Sequence, residues 1–290
     1  MVKKLSQIAA IAYYRNLLQV SAAISPKLAA KKAFRLFCTP YSGKPKRTVP
    51  ELFTHAEALE IVHKNLVHRG FKFTPKKQNN GKKILICHGF DSCCFKFHPY
   101  IQPLLLQGFE VYLFDATGHG NSDGKYLHSL LYAEFIIDVD AQLANFQGII
   151  AHSIGGLATS LAMQKLLQAQ PERKFVLLAP ATEATTALGQ FYKMFPLNNA
   201  TKKEINALIY GINRQTLSWY SVNRALQKVT APILWFHDEG DKICPISDTL
   251  PTQQAKYPNV EMIVTRGLGH SKIYKEPSTV EKTVQFLTQG

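Results

Sequence analysis

Residues 148–156 read Gly-Ile-Ile-Ala-His-Ser-Ile-Gly-Gly, and this stretch decides the fold. Gly148 to Ala151 form an apolar run, of the kind a strand buried on both faces of a parallel sheet requires. The run leads to Ser153, with Ala151 two residues before it and Gly155 two after. Residues 155–169 have the pattern of a helix. A serine held between strand and helix, in a turn tight enough to demand small flanking residues, is the setting of a nucleophile elbow. The N–H of Ile154, at the start of the helix, is available to a developing oxyanion. The plainer reading makes Ser153 a helix N-cap, a role serine often plays.

Outward from this stretch the same alternation recurs. Apolar runs lie at 83–87, 111–114, 175–178, 233–236 and 260–264. Helix-like segments fall at about 96–107, 128–145 and 277–288. Strands alternating with helices predict a mostly parallel sheet covered by helices on both faces. Short β-like runs around 60–74 precede it, with Gly70 read as their turn, and Asn79-Asn80-Gly81 turns the chain into the run at 83. Residues 181–228 are too long for a simple crossover. Phe191, Tyr192, Phe195, Tyr210, Trp219 and Tyr220 there suggest a helical cap over a site. Ahead of the sheet, 5–37 reads as two helical segments, the second an amphipathic one over Pro26–Phe37, and 39–50 as a Pro/Gly connector. The expected division is a helical extension at 1–50, a core at 51–180 and 229–290, and a cap at 181–228.

The ends of the other strands carry the remaining chemistry. His88-Gly89-Phe90 follows the run at 83–87, and the N–H of Phe90 is positioned to complete an oxyanion hole with that of Ile154. Asp115 to Ser122, with Gly118-His119-Gly120, marks a sharp turn whose residues shape the loop. Phe236 to Pro245 offers Asp238, Glu239 and Asp241. Asp241 follows a glycine and is best placed to reach inward, with the other two as rivals. Arg266-Gly-Leu-Gly-His270 presents His270 on a late glycine-flanked loop. The three types belong together physically. A serine hydroxyl is a poor nucleophile until a base takes its proton, imidazole does so near neutrality, and a carboxylate fixes the imidazole tautomer.

The charge is uneven. Of the net +14, residues 1–83 carry seventeen Lys and Arg against Glu51, Glu57 and Glu60, while 84–290 balance. The excess is either a solvated face or an attraction to anionic membrane. The chain opens like a signal peptide, but its apolar run is short and broken by Arg15 and Asn16. No run reaches the roughly 18 uncharged apolar residues a membrane span needs. The five cysteines, Cys38, Cys87, Cys93, Cys94 and Cys244, show no metal-ligand spacing and read as reduced thiols of a cytoplasmic protein.

The His88-Gly89 loop, the Gly118-His119-Gly120 turn, the elbow at Ser153, Gly240-Asp241 and Gly269-His270 together resemble the α/β-hydrolase superfamily, more narrowly its lysophospholipase-like and esterase-like members with a short cap. Ala151 departs from the usual first elbow glycine, and Thr117 stands where many members have proline. The resemblance implies an eight-stranded, mostly parallel sheet with an antiparallel strand near its start. It also implies Ser153, Asp241 and His270 as catalytic residues acting on a small-molecule ester. No metal or organic cofactor and no nucleic acid is expected. An acyltransferase or peptidase on the same three residues, or a non-catalytic binding module of this fold, are the alternatives.

Overall fold

The continuous apolar runs become the inner strands of one sheet. A computed structural model of the protein describes residues 5–41, 48–143 and 146–289. Numbering the helices of nine or more residues, the chain begins with α1 (Leu5–Ile24) and α2 (Pro26–Phe37), followed by the hairpin β1 (Glu57–His63) and β2 (Leu66–Phe73). Then come β3 (Lys83–Cys87), α3 (His98–Leu106), β4 (Glu110–Phe114), α4 (Ser129–Leu143), β5 (Gly148–His152), α5 (Ile154–Ala169) and β6 (Lys174–Leu178). Helices α6 (Ala184–Met194) and α7 (Asn199–Asn213) precede β7 (Ile233–Asp238), β8 (Val260–Thr265) and α8 (Pro277–Thr288).

The strand order is β1-β2-β4-β3-β5-β6-β7-β8. From β4 to β8 every pairing is parallel, and β2 runs antiparallel to both β1 and β4. The register is continuous: Cys87 faces Ala151, Ala151 faces Leu177, and Leu177 faces Trp235. All five residues of β5 and all six of β7 are buried, which explains why these strands read as unbroken apolar runs rather than as alternation. Because the strands are parallel, the loops after β3, β5, β7 and β8 leave from one edge of the sheet. The order reverses around β3, with β4 on one side and β5 on the other, so a crevice is expected between the loops there.

Gly70 is not a turn residue. The hairpin turns at Lys64-Asn65, both at positive φ (49° and 60°), the backbone a two-residue hairpin loop requires. Gly70 lies inside β2, where an added Cβ would fall 2.3 Å from the Leu113 carbonyl oxygen and 2.4 Å from the Phe114 ring. Glycine here answers a close approach within the sheet.

The chain folds as two compact units. One is the α/β body, Pro40–Thr182 with Ser221–Gly290. The other joins the described part of residues 1–39 to Glu183–Tyr220, so the helices read separately as an extension and as a cap fold together. Within that helical unit α2 turns Ala29, Ala30 and Ala33 inward and packs on α7. Arg15 Nε donates to the Met194 carbonyl at 2.8 Å, and Phe37 meets Phe191 edge to face at 5.4 Å. Half of the connector expected at 39–50, residues 42–47, lies outside the described residues. Among the described residues no helix is long and apolar enough to cross a membrane.

Candidate active site

Ser153 stands at the junction of β5 and α5 with φ 55° and ψ −122°, a conformation a serine adopts only under constraint. The constraint is visible. Its N–H donates to the Leu178 carbonyl at 3.2 Å, and its carbonyl accepts from Ala181 at 2.9 Å and Leu157 at 3.2 Å. Gly155 allows the helix to start this close to the sheet, since a Cβ there would lie 2.7 Å from the carbonyl oxygens of both Cys87 and His88. Ser153 occupies the N-cap position of α5, but its side chain makes no capping bond to the helix. Its Oγ lies 3.0 Å from His270 Nε2 instead.

His270 Nδ1 lies 2.7 Å from Asp241 Oδ2. A carboxylate only accepts, so Nδ1 carries the proton and Nε2 is left bare to accept the Ser153 hydroxyl. The other oxygen of Asp241 accepts the N–H groups of Ile243 (2.8 Å) and Cys244 (2.9 Å). Burial by itself raises the Asp241 carboxyl pKa, but the bond and charge of His270 and these two N–H groups outweigh it and hold it below its ordinary value. The Asp241 loop is itself tied down: Trp235 Nε1 donates to His237 Nδ1 at 3.2 Å, so His237 Nε2 donates to the Cys244 carbonyl at 2.8 Å.

The two rivals of Asp241 are placed elsewhere. Asp238, fully buried at the end of β7, accepts from Thr265 Oγ1 (2.9 Å), the Leu268 N–H (3.0 Å) and the Gly240 N–H (3.0 Å). It joins the two loops that carry Asp241 and His270. Glu239 pairs with Arg266 at 3.0 Å on the exposed surface.

The His88–Phe90 loop passes beside the nucleophile: a Cβ on Gly89 would sit 3.0 Å from Ser153 Cβ. The Ala116 N–H donates to His88 Nε2 at 2.9 Å, so His88 Nδ1 carries the proton and donates to the Gly89 carbonyl at 2.7 Å. In a trans peptide the N–H points opposite the carbonyl, so holding the Gly89 oxygen fixes the direction of the Phe90 N–H. The Ile154 N–H is the first of α5, and the first N–H groups of a helix have no acceptor within it. His119 and Asp115 serve the loops: His119 Nε2 accepts from the Asp91 N–H at 3.0 Å, and Asp115 accepts from Cys94 and Asn121, each at 2.9 Å.

Two neighbours of the site were not singled out in the sequence. His152 is buried, and its Nε2 lies 3.0 Å from the His270 carbonyl oxygen. Burial first, then the adjacent His270, lowers its pKa to about 3, so it is neutral and Nε2 donates. Its position beside Ser153 was the available signal. Cys244 is the other, three residues past Asp241. Burial, then the charges of Asp241 and Asp248, keep its thiol pKa well above the ordinary value, opposed by a contact with Ser153. Among the described residues, Asp241, Cys244 and His270 form the one group with metal-ligand atoms within 4.8 Å of one another. Asp241 and His270 are already bonded to each other, and a protonated thiol is a poor ligand. All five cysteines are free and buried.

The sheet order and the solved structures it matches show the class of fold: the chain has the α/β-hydrolase fold. A family model described as serine aminopeptidase, S33, matches residues 78–213. Among solved structures the chain is similar to the Pyrococcus furiosus esterase Pf2001, at 20% identity over 84% of this chain and 98% of that one, TM-score 0.60. It is similar to Est1E from Butyrivibrio proteoclasticus, solved with ferulic acid, at 17% identity over 80% and 96%, TM-score 0.60. A membrane phospholipase A, described as a bacterial virulence factor, matches at 15% identity over 93% of this chain and 95% of its own, TM-score 0.60. No curated protein matches the chain in sequence.

Proposed function

We propose that the protein is a serine hydrolase that cleaves carboxylic esters through an acyl-serine at Ser153. The observation that carries this reading is the unbroken chain Ser153 Oγ, His270 Nε2, His270 Nδ1, Asp241 Oδ2, with contacts of 3.0 and 2.7 Å. His270 Nε2 takes the hydroxyl proton as Oγ attacks the ester carbonyl, and Asp241 steadies the imidazolium. The N–H groups of Phe90 and Ile154 hold the oxyanion. The imidazolium then gives its proton to the departing alcohol, and the acyl group stays on Oγ. Water, deprotonated by the same His270, attacks the acyl-serine, releases the acid and restores Ser153. No step calls for a metal or organic cofactor. Lipid and lysophospholipid-like esters are the natural substrates to try first, since the phospholipase neighbour spans nearly the whole chain. Five free cysteines fit a reducing, cytoplasmic compartment.

A second reading keeps the acyl-serine and takes an amide, and it is favoured by the description of the family model. A panel of p-nitrophenyl esters of rising acyl length, run beside aminoacyl p-nitroanilides, separates the two. Ester turnover is expected, with kcat falling by about 10⁴-fold or more in Ser153→Ala. Turnover of the anilides alone selects the peptidase. No Ser153-dependent turnover of either contradicts both.

A further inference from the structure

Helix α1 departs from the rule that a water-facing helix surface is polar. Leu18 and Ser21 are buried on one side, and Leu17 and Ala22 flank them half-buried. The opposite side carries Ala9, Tyr13, Val20 and Ile24, with Asn16 and Gln19 as its polar members. Tyr13 and Val20 are each 61% exposed and Ile24 73%. A run of exposed apolar side chains along one helix is costly in water and marks a surface meant to be covered. Hydrogen bonds hold the corner between α1 and α2: Lys32 Nζ donates to Ser21 Oγ at 3.0 Å, and Ser25 caps α2 by accepting the Leu28 N–H at 3.4 Å.

The charge beside this face limits what can cover it. Helices α1 and α2 contain Arg15, Lys27, Lys31, Lys32 and Arg35 and no acidic residue. Lys27, Lys31 and Arg35 recur at intervals of four, so they share one stripe of α2, and all three are exposed. The buried side of α2 is alanine, so the stripe points away from the packing. Apolar residues, exposed tyrosines and cations without acids are what an anionic bilayer surface selects: tyrosines favour the headgroup level and cations the lipid phosphates. A second copy of the chain is a poorer fit, because a two-fold contact through this face would set the cations of one α1–α2 pair near those of the other with no acid between them.

We propose that the exposed face of α1, with the Lys27–Lys31–Arg35 stripe of α2, docks the protein on an anionic lipid surface, α1 lying in the interface plane. It does not cross the bilayer, for α1 is not apolar enough to span it. The inference is independent of the ester chemistry, and its test reads binding.

The test is co-sedimentation of the full chain with vesicles of phosphatidylglycerol and phosphatidylcholine, and with phosphatidylcholine alone. The wild type is expected to pellet with the anionic vesicles and far less with the neutral ones, and 0.5 M salt should weaken the difference. Neutralising the stripe as Lys27→Gln, Lys31→Gln and Arg35→Gln should lower partitioning by about a hundredfold, from about 1 kcal/mol per cation near the membrane surface. Val20→Glu with Ile24→Glu should abolish binding to either vesicle at an unchanged melting temperature. Val20→Ser with Ile24→Ser replaces that pair if the acidic variant does not fold. A wild type that stays in the supernatant, or variants that pellet as it does, would overturn the proposal. So would a solution dimer that the Val20/Ile24 variants dissociate, which assigns the face to a second copy.

Discussion

The α/β body and the helical unit treat their apolar residues in opposite ways. In the body, β5 and β7 bury every residue, and the buried guanidinium of Arg173 meets the buried carboxylate of Asp140 at 2.8 Å. In the helical unit, α1 leaves Tyr13, Val20 and Ile24 in solvent. The difference teaches that the body's pattern answers to its own packing, whereas that of α1 answers to something outside the fold. The body also holds all ten histidines, and the helical unit none. The proposed chemistry and the histidine titrations therefore belong to the body.

Substitutions test this contrast. The largest effect is expected in the body: Asp241→Asn should lower kcat by about 10³- to 10⁴-fold, because the wrong imidazole tautomer is then favoured. Asp238→Asn should cost less and act through the loop it ties, so parity between the two would undo the assignment of Asp241 as the orienting acid. Steady-state kinetics on a short soluble ester reads both, and Val20→Glu with Ile24→Glu should leave those kinetics unchanged. Next in size is Arg173→Met. It strands Asp140, which is itself buried, and should destabilise the body by about 3–5 kcal/mol in denaturant unfolding.

Acid should act on the body in a set direction. Burial lowers His68 and His119 to about 4 and His152 to about 3, and it lowers His128 and His237 as well. The unfolded chain takes up these protons near 6.5 while the folded chain does not, so stability falls as pH drops from about 6.5 towards 4. Asp238 and Asp241, held below 3.8, extend the loss in the same direction at lower pH. Calorimetry across that range checks the sign, and a melting temperature that rises on acidification would contradict it. The smallest effect is Tyr13→Ser, expected to change stability by no more than about 0.5 kcal/mol, as for an exposed side chain whose worth is not in folding.

The same contrast explains what the sequence disclosed. Inner parallel strands are buried on both faces, so their apolar runs stand out, and the eight-stranded sheet followed from them and from the resemblance. Ser153 was conspicuous because strand, small residue, serine, glycine and helix follow in order. Asp238 and Asp241 could be ranked but not separated by sequence, since they lie three residues apart on one loop and differ in which way each side chain points. His152 went unnoticed because its partner, the His270 carbonyl, is 118 residues away. The joining of α1 and α2 to residues 183–220 was hidden for a similar reason: alanines at 29, 30 and 33 show that a face is small, not what it meets. Gly70 misled because glycine marks turns and close approaches alike, and the Phe114 ring beside it belongs to another strand.

The central claim is that Ser153 is activated by His270 and Asp241. The most direct measurement is mass spectrometry of the protein after reaction with a fluorophosphonate, with Ser153→Ala alongside. One phosphonyl adduct on Ser153, absent from the variant and slowed in Asp241→Asn, is the predicted result. A folded wild type that takes up no label, or takes it on another residue, would contradict the claim.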